Sequence, residues 1–514
     1  MVSNEVFVGA GTSATFVPEM DMFFNAGTVG NASNLDKVTL ATGEQSLVQL
    51  LDNLYVGCRV KVESGSTTTF TTVKSNDRVS FTFTDDVGLA NAADADITLY
   101  AFGAPVIAPK SGDVPQLLSD NWLGLVNTIT PPNVEVEMKQ MNLAVSGTRN
   151  FAHQYKGAET VSGGSLDISL NNGSWLYYAL GNISSIAEDT ASTATWDANS
   201  GDSNSTCNYV INTTSGRLLR VINGNEYPPL NFTPSAEGTH LEHDSSSHGF
   251  KEYLSNLTTY NFGELNGDVL PSFALEVLYD KSGVTNTTAI DNNDPNNTRF
   301  ARLFTGCQVN TMTLNFEEGQ ELKTSLDLVT RRAYDVETSG TNDYIPRRSI
   351  ANGASNLQNF SATVADNYPF QYSDGALKLF GQTVARVKSG SLTINNNITQ
   401  QRFIDNVGRQ TMSAHIPAQR TYEVSLTMLV TDTQIWDELR ADGETANSTG
   451  SSKNIQLQFT KDGGEQISIS LEDYMIQSVT IPFPDDKGPV EVEMTASART
   501  LGSASYTGKW AILV

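Results

Sequence analysis

Several residue types are scarce in this chain, and each shortage excludes a class of protein. The 514 residues include three cysteines, Cys58, Cys207 and Cys307, and this odd, widely spaced set does not suit a disulfide framework. No run of about 18 apolar residues occurs, so no membrane-spanning helix is predicted. The amino terminus has neither a basic region nor an apolar run, so no signal peptide is predicted.

Basic residues are also few. The chain has 32 Lys and Arg against 57 Asp and Glu, which gives a formal net charge of −25. Tight binding to duplex DNA requires basic side chains that displace counterions from the phosphates. The charge therefore argues against an ordinary DNA-binding protein. It remains compatible with an acidic surface along which DNA passes without adhering, because like charges repel.

Apolar residues make up only 39% of the chain, which is instead rich in Ser, Thr, Asn and Gly. This balance favours many short strands with polar outer faces and turn-rich connections. Apolar and polar residues alternate in residues 58–62, 69–73, 79–83 and 97–102, as they do in half-buried strands. We predict a mainly β protein, with a small separate β barrel or sandwich over residues 1–112.

One apolar pattern occurs twice in the chain. A shift of 260 positions relates the two copies over their first part, and shifts of 182 and 167 positions relate their later parts. A duplicated β-rich unit accounts for this pattern, with insertions in the first copy. The matched pairs include Val134 and Ile394, Leu166 and Leu426, Trp175 and Ile435, Phe273 and Ile455, and Val309 and Ile476.

The repeat divides the chain into further domains. The first copy spans 113–345 and includes a polar insertion at about 182–264. Residues 346–514 contain a polar linker arm at 346–371, followed by the second copy. Each copy is predicted to hold one short helix. The first helix has Ser174 as its N-cap and Gly181 just past its end, and the second, at 431–439, has Asp432 as its N-cap.

Four groups of residues resemble sites of chemistry. The glycine-rich residues 7–14 imitate a dinucleotide-binding motif, but no helical pattern follows them, so a glycine turn is the better interpretation. A cluster of Asp and Asn at 291–297 lacks the spacing of a calcium loop and reads as a turn. Carboxylates are numerous, but no pair is marked out as a glycosidase pair.

The fourth group is a histidine cluster. His240, His243 and His248 lie beside Glu242 and Asp244, which are side chains that can ligate zinc. Their spacing is not that of a catalytic zinc site, and they fall in the polar insertion, so a solvated loop is the simpler interpretation. No catalytic residue, cofactor or metal site is assigned, and the protein is predicted not to be an enzyme.

Three stretches carry a resemblance to a known family: residues 163–170 with the helix at 175–181, residues 305–314 and 322–326, and residues 391–397. In these stretches the chain resembles phage major tail tube proteins of the duplicated type. The resemblance implies two tandem β-sandwich domains, each with one short α-helix. The N-terminal β domain departs from the minimal family pattern; we expect it to decorate the outer surface, with a sheath-facing or capsid-facing role as the alternative. The resemblance also implies a virion protein assembled in the host cytoplasm.

The resemblance further implies the partners. Six tube folds commonly form a ring, so a chain with two would form a homotrimeric, pseudo-hexameric ring. Stacked rings would give a negatively charged channel for DNA passage, in contact with terminator and tape-measure proteins and, in tails that have one, a sheath. The polar excursions 146–160 and 398–420 are expected to contact the next ring, and Arg149 and Arg409 are the candidate stacking residues.

Two other classes stay open on the sequence alone. A receptor-binding tail fibre or adhesin would share the composition, although such proteins more often form trimers along an axis with short regular repeats. A secreted carbohydrate-active enzyme would need a signal peptide and a carboxylate pair in a cleft.

Overall fold

The computed structural model of the chain consists mainly of β-strands, as predicted. It describes residues 13–19, 21–29, 36–40, 58–64, 67–76, 80–85, 95–100, 107–108, 116–117, 124–142, 150–187, 195–197, 206–212, 217–222, 225–227, 253–265, 270–280, 299–335, 368–379, 382–384, 386–401, 414–429, 454–482 and 488–510. No helix in these ranges is both long and apolar enough to cross a membrane.

The first seven strands include a closed barrel. They are β1 (Ser13–Glu19), β2 (Asp21–Val29), β3 (Lys37–Thr39), β4 (Arg59–Ser64), β5 (Thr67–Asn76), β6 (Ser80–Phe83) and β7 (Ala95–Tyr100). Strands β2 to β7 form the barrel in the order β2-β3-β6-β5-β4-β7. Alternate side chains such as Val60, Val62, Phe81 and Ile97 fill its interior, so the period-two pattern of these segments correctly indicated half-buried strands.

The middle of the chain contributes the next strands and the one α-helix of the described ranges. They are β8 (Ile107–Ala108), β9 (Gln116–Leu117), β10 (Leu125–Thr130), β11 (Asn133–Met141), β12 (His153–Ser162), β13 (Ser165–Ser169), α1 (Ser174–Leu180), β14 (Gly181–Ala187), β15 (Thr195–Asp197), β16 (Thr206–Asn212), β17 (Arg217–Ile222), β18 (Asn225–Tyr227) and β19 (Tyr253–Glu264).

The remaining strands complete the architecture. They are β20 (Ser272–Asp280), β21 (Arg299–Glu317), β22 (Lys323–Val329), β23 (Arg332–Asp335), β24 (Gly375–Leu379), β25 (Gln382–Val384), β26 (Val387–Asn395), β27 (Thr399–Gln401), β28 (Ala414–Ile416), β29 (Thr421–Leu429), β30 (Asn454–Thr460), β31 (Gln466–Thr480) and β32 (Glu491–Trp510). A short 3-10 helix, Tyr372–Asp374, precedes β24.

One 16-stranded sheet contains two groups of strands with the same antiparallel pairing order. The first group, called unit 1, is ordered β10-β13-β22-β21-β20-β1. The second group, called unit 2, is ordered β26-β29-β32-β31-β30-β24. The two units join where β21 of unit 1 pairs with β26 of unit 2.

The irregularities of the two units also correspond. A bulge falls between Val126 and Thr128 in β10, and another falls 261 residues later, between Val387 and Ser389 in β26. A bulge between Val309 and Thr311 in β21 has its counterpart 167 residues later, between Ile476 and Ser478 in β31. Bulges depend on local backbone geometry, so their agreement shows that the two units share more than strand order.

The register corrects one detail of the sequence alignment. Leu166 pairs with Ile129 and Leu326, and Leu426 pairs with Gly390 and Met494. Matching Leu166 to Leu426 therefore shifts β10 and β11 by 261 positions, not 260, and β22 by 168. Val134 corresponds to Asn395 instead of Ile394, because the chain has one residue fewer between β26 and β29 than between β10 and β13.

Strand β1 belongs to the large sheet, although the sequence analysis placed it in the N-terminal domain. It pairs with β20 along its whole length, as β24 pairs with β30 in unit 2. The physical reason is Phe16, which is buried and packs against Trp175, Tyr178 and Phe273 at centroid distances of 5.7, 6.2 and 6.0 Å. The barrel strands thus lie in the chain between the first two strands of unit 1.

Helix α1 is buried on all sides except at its first residue, because six of its seven side chains are apolar or aromatic and buried. It begins after Gly173, so the prediction of Ser174 as N-cap is wrong; the Ser174 amide instead donates to Asn172 Oδ1 at 2.9 Å. Gly181 follows the helix with φ of 100°, a conformation that favours glycine, as predicted. The helix predicted at 431–439 lies outside the described residues.

The polar insertion contains strands that its sequence did not indicate. Strands β15 to β18 form a separate antiparallel sheet, and β14 pairs with β19. Strand β19 also pairs with β32 of unit 2, for example Tyr260 with Tyr506, and these two rings stack at 6.3 Å. The insertion therefore links the two units a second time.

A two-stranded arm extends one strand pair of each unit, β10 with β13 in unit 1 and β26 with β29 in unit 2. In unit 1, β11 and β12 continue from β10 and β13 and form arm 1. In unit 2, β27 and β28 continue from β26 and β29 and form arm 2. The polar excursions 146–160 and 398–420 therefore include paired strands, at residues 153–160 and at residues 399–401 with 414–416.

Candidate functional site: the open face and free edges of the large sheet

Strict alternation gives the large sheet one buried and one open face in both units. The buried face carries apolar side chains of the hydrophobic core, among them Leu166, Leu314, Leu326, Leu392, Leu426 and Met494. The open face carries polar side chains at the intervening positions, among them Ser165, Thr313, Ser325, Thr393, Ser425 and Thr495. A sheet that faces water on one side has this pattern.

Cross-strand pairing aligns these polar residues in rows across the junction of the two units. One row runs from Thr313 in β21 to Thr393 in β26 and Glu423 in β29. The hydroxyls bond to each other and to carboxylates along such rows. Thr313 Oγ1 lies 3.2 Å from Thr393 Oγ1, and Ser325 Oγ donates to Asp167 Oδ1 at 2.6 Å. The polar groups of the wall thus satisfy one another in part.

The open face is acidic. Five exposed carboxylates lie on it, and they come from five different strands: Asp167, Glu317, Asp327, Glu423 and Glu493. The bases on this side include the exposed Lys323 and also Lys388, whose Nζ lies 2.5 Å from Glu491 Oε1. Carboxylates therefore dominate the charge of this surface, and a polyanion near it would be repelled.

The junction of the units is closed by buried polar contacts from unit 2. Asn396, just after β26, donates from Nδ2 to the carbonyls of Ala179 and Val309, both at 3.0 Å. Arg420 donates to Asn396 Oδ1 at 2.7 Å and to the Leu180 carbonyl at 3.1 Å. The last carbonyls of α1, which have no partner within the helix, are thus bonded by side chains of unit 2.

Each unit also has an edge that no other strand of the described ranges covers. Strand β10 pairs only with β13. The second half of β31, from Tyr474, pairs only with β32, because the pairing of β31 with β30 extends no further than Glu472, which lies opposite Asn454. These edges correspond to the two strands that meet inside the chain: β10 matches β26, and β31 matches β21.

Neither Cys58 nor Cys307 is a reactive thiol. Cys58 and Cys307 are both buried, and burial raises the pKa of each thiol. A thiol in this state is protonated and a poor nucleophile. The nearby Glu19 is held in place by Ser272 Oγ at 2.6 Å and by the Gly306 amide at 2.8 Å, so it fixes β1 against β20 and β21.

The residues singled out in the sequence fare differently. Arg149, Arg409, the histidine cluster His240, His243 and His248, and the Asp and Asn cluster at 291–297 all lie outside the described residues. The glycine-rich motif runs directly into β1, a strand where a dinucleotide site would require a helix. Among the side chains of the described ranges, no three His, Cys, Asp or Glu gather as a metal site would require.

The acidic open face was missed as a set of named residues, although alternation could have found it. Asp167 stands between Leu166 and Ile168, and Glu423 stands between Tyr422 and Val424, so each had to point away from the apolar side. Only the order of the strands, which sequence does not give, places them on one wall.

The described strands thus form a two-unit sheet with a polar face, a matched internal junction and two uncovered edges. The family model described as phage tail tube protein matches residues 142–498, and the chain belongs to that family. It is therefore a structural protein of a virion tail.

Two further comparisons add little. A chain from the virion of a native gene transfer agent particle is 15% identical, with 26% of this chain and 95% of that chain covered and a TM-score of 0.19. This score is too low to support an argument. No curated protein matches the sequence.

Proposed function

We propose that this protein forms the tail tube as stacked rings of three chains, in which six similar units line a channel for DNA. The observation that carries the proposal is the repeated strand order with its matching bulges. Duplication of one unit would produce such agreement. It supports a division of the chain into two tube domains, the first of which carries the barrel.

The junction inside the chain provides the template for the junction between chains. In the chain, Thr311 pairs with Asn395 and Leu314 with Leu392. Shifts of 167 and 261 positions convert these pairs to Ser478 with Val134 and Ile481 with Pro131 of the next copy. A β31 edge that pairs with β10 of a neighbour closes the sheet around a ring and leaves neither edge free.

Exposure supports this edge as a contact. Leu314 is 1% exposed under β26, whereas its counterpart Ile481 is 45% exposed. A neighbouring strand at β31 would cover Ile481 as β26 covers Leu314. Prolines at 131, 132 and 482 reduce the number of ladder hydrogen bonds, so apolar burial would supply much of the contact.

The open face is the side that would line the channel. The other face carries α1 and the strands packed on it. These elements would fit on the outside of a closed ring, where more volume is available than inside it. Asp167, Glu317, Asp327, Glu423 and Glu493 would then face the DNA and keep it from adhering. No catalytic role and no cofactor is proposed for the chain.

Arg149 and Arg409 are proposed to contact the next ring. They lie in the chain between the two strands of arm 1 and arm 2, respectively. The barrel is proposed to lie on the outside, and the ends of the tube to meet other tail proteins. Replacing both arginines by Glu should shorten or abolish tubes and leave single rings, as seen by negative-stain microscopy.

A pair of engineered cysteines tests the ring. In a Cys207→Ser background, S478C/V134C should form disulfides between copies on oxidation and yield a closed trimer as the largest species on a non-reducing gel. Paired strand residues lie within disulfide range. The matched control is T311C/N395C, which should close within one chain. Monomers with free thiols at 134 and 478, alongside a closed control, would overturn the ring.

A further inference from the structure

Arm 2 does not stand free but docks on unit 1. The imidazole of His415 in β28 lies 2.9 Å from Oε1 of Gln308 in β21, and both residues are 1% exposed. Gln400 in β27 donates from Nε2 to the Thr330 carbonyl at 3.3 Å, and Ile398 donates its amide to Asn310 Oδ1 at 2.8 Å. The middle of β21 and the residue after β22 thus form a docking surface, called the seat, for the arm of the next unit.

The seat in unit 1 has counterpart residues in unit 2, and arm 2 has counterpart residues in arm 1. The shifts between the units convert Gln308 to Met475 and Thr330 to Ala498, and they convert His415 of the arm to Tyr155. The pairing supports the conversion. Gln308 pairs with Val329 as Met475 pairs with Ser497, and Gln400 pairs with His415 as Lys139 pairs with Tyr155.

Arg331 supports the same correspondence, because its counterpart 168 positions later is also an arginine, Arg499. Arg331 is buried beside His415. Arg499 has a side chain that is 70% exposed and is paired with Asp473. The same residue type therefore occupies a covered seat in unit 1 and an open seat in unit 2.

The matched positions on arm 1 and on β31 both carry exposed side chains that are largely apolar. Tyr155 on arm 1 is 54% exposed and Met475 on β31 is 55% exposed, whereas their counterparts His415 and Gln308 are covered by each other. An aromatic ring and a thioether form a favourable contact. The polar pair inside the chain is thus matched by a complementary apolar pair that the single chain cannot bring together.

We propose that arm 1 of one copy docks on the Met475 surface of the neighbouring copy, with Tyr155 against Met475 and beside Arg499. This inference rests on the proposed ring and adds a second lateral contact, separate from the strand edges. It assigns the base of arm 1 to the neighbour in the same ring, and it leaves only the residues between β11 and β12 for the next ring. Arg499 would stack on the tyrosine ring, a favourable cation–π geometry.

Cross-linking of the full chain tests the contact. In the Cys207→Ser background, Y155C/M475C should give disulfide-linked copies on oxidation, up to a closed trimer. The edge pair S478C/V134C is examined in parallel. If the edge pair closes and Y155C/M475C stays monomeric, the arm contact is wrong and the ring stands. If neither closes while T311C/N395C does, the ring itself fails, and this inference fails with it.

Charge substitution gives an independent readout. Tyr155→Lys should raise the protein concentration required for ring formation at least tenfold, because it would place a second positive charge beside Arg499. The monomer should stay folded, because the side chain is exposed. Phe70→Lys, at 51% exposure on the barrel, is the matched control and should assemble normally. Adding Met475→Glu to Tyr155→Lys should restore assembly by pairing opposite charges. Normal assembly of Tyr155→Lys alone would overturn the proposal.

Discussion

The Nδ1 atom of His415 lies 2.9 Å from Oε1 of Gln308, and this contact fixes Nδ1 of the imidazole as a hydrogen-bond donor. Gln308 donates its own Nε2 to the Leu270 carbonyl at 2.5 Å, so its Oε1 must accept, and His415 must donate from Nδ1. Burial, and then the charge of Arg331, lower the pKa of His415 to about 3. A protonated ring would place a second positive charge beside a buried arginine.

Stability should therefore fall as the pH falls below about 6.5, the pKa of a histidine in the unfolded chain. The folded state binds fewer protons than the unfolded state between pH 6.5 and 3, so His415 contributes stability above this window and loses it within the window. The slope from one such group approaches about 1.4 kcal/mol per pH unit. Denaturant unfolding between pH 7 and 5.5 measures it.

His415→Gln should flatten this dependence, because the variant has no proton to gain. Phe70→Ala, which changes an exposed side chain and leaves His415 in place, is the control and should keep the wild-type slope. Equal slopes for wild type and His415→Gln would contradict the assignment of the titrating group.

Phe16→Ala should destabilise the protein by about 3–5 kcal/mol, because it removes a buried ring from the aromatic cluster around Trp175 and leaves a cavity. The midpoint of thermal or urea unfolding reports the loss. Phe70→Ala changes an exposed ring of the barrel and should leave the midpoint nearly unchanged. A small effect of Phe16→Ala would mean that β1 is not part of the large sheet.

Gly390→Ala should disturb the junction of the two units. A Cβ at this position would lie 2.5 Å from Phe316 Cζ and 2.7 Å from the Ser425 carbonyl oxygen, and the latter is backbone that cannot turn away. We expect a cost of about 1–3 kcal/mol, measured by urea unfolding. Gly463→Ala, where a Cβ meets nothing within 4 Å, is the control. If both variants unfold at the wild-type midpoint, the close approach of Phe316 and Ser425 to Gly390 would be contradicted.

Lys461 holds the end of the linker between the units. Its Nζ donates to the Tyr368 carbonyl at 2.8 Å, lies 3.1 Å from Glu465 Oε2, and sits 4.2 Å from the centre of the Phe370 ring. Phe370 is itself buried, and its amide donates to the Leu170 carbonyl at 2.9 Å. The lysine thus anchors this segment between unit 1 and unit 2.

Lys461→Met keeps the apolar stem and removes the charge, so it should cost about 1–3 kcal/mol by leaving the Tyr368 carbonyl and Glu465 without their donor. Limited proteolysis should also cut the linker faster. Lys388→Met breaks a more exposed ion pair, with Glu491, and should change neither readout. Equal behaviour of the two variants would show that the buried position of Lys461 has no energetic weight.

The sequence was informative where a residue had one physical role. Gly181 could be predicted because few residues accept its positive φ, and the pairs Leu166 with Leu426 and Val309 with Ile476 could be matched because buried strand positions repeat every second residue. The placement of β1 could not be found in this way. Phe16 reads as any strand residue, and its counterpart Leu377 shares with it only an apolar character.

The contact between His415 and Gln308 was beyond sequence reasoning for a different reason. The two residues stand 107 positions apart, and their counterparts in the other unit are Tyr155 and Met475, so no shared residue type signals the site. Only the three-dimensional pairing brings the four positions into one comparison.

The barrel is carried between the first two strands of unit 1, and unit 2 has only the short β25 at the corresponding place. In a ring of three chains, the exterior would therefore present three barrels while the interior presents six similar walls. A protein bound outside would contact a surface of threefold symmetry, and DNA inside would contact a surface of nearly sixfold symmetry. One chain would in this way give the two surfaces of the same tube different rotational periods.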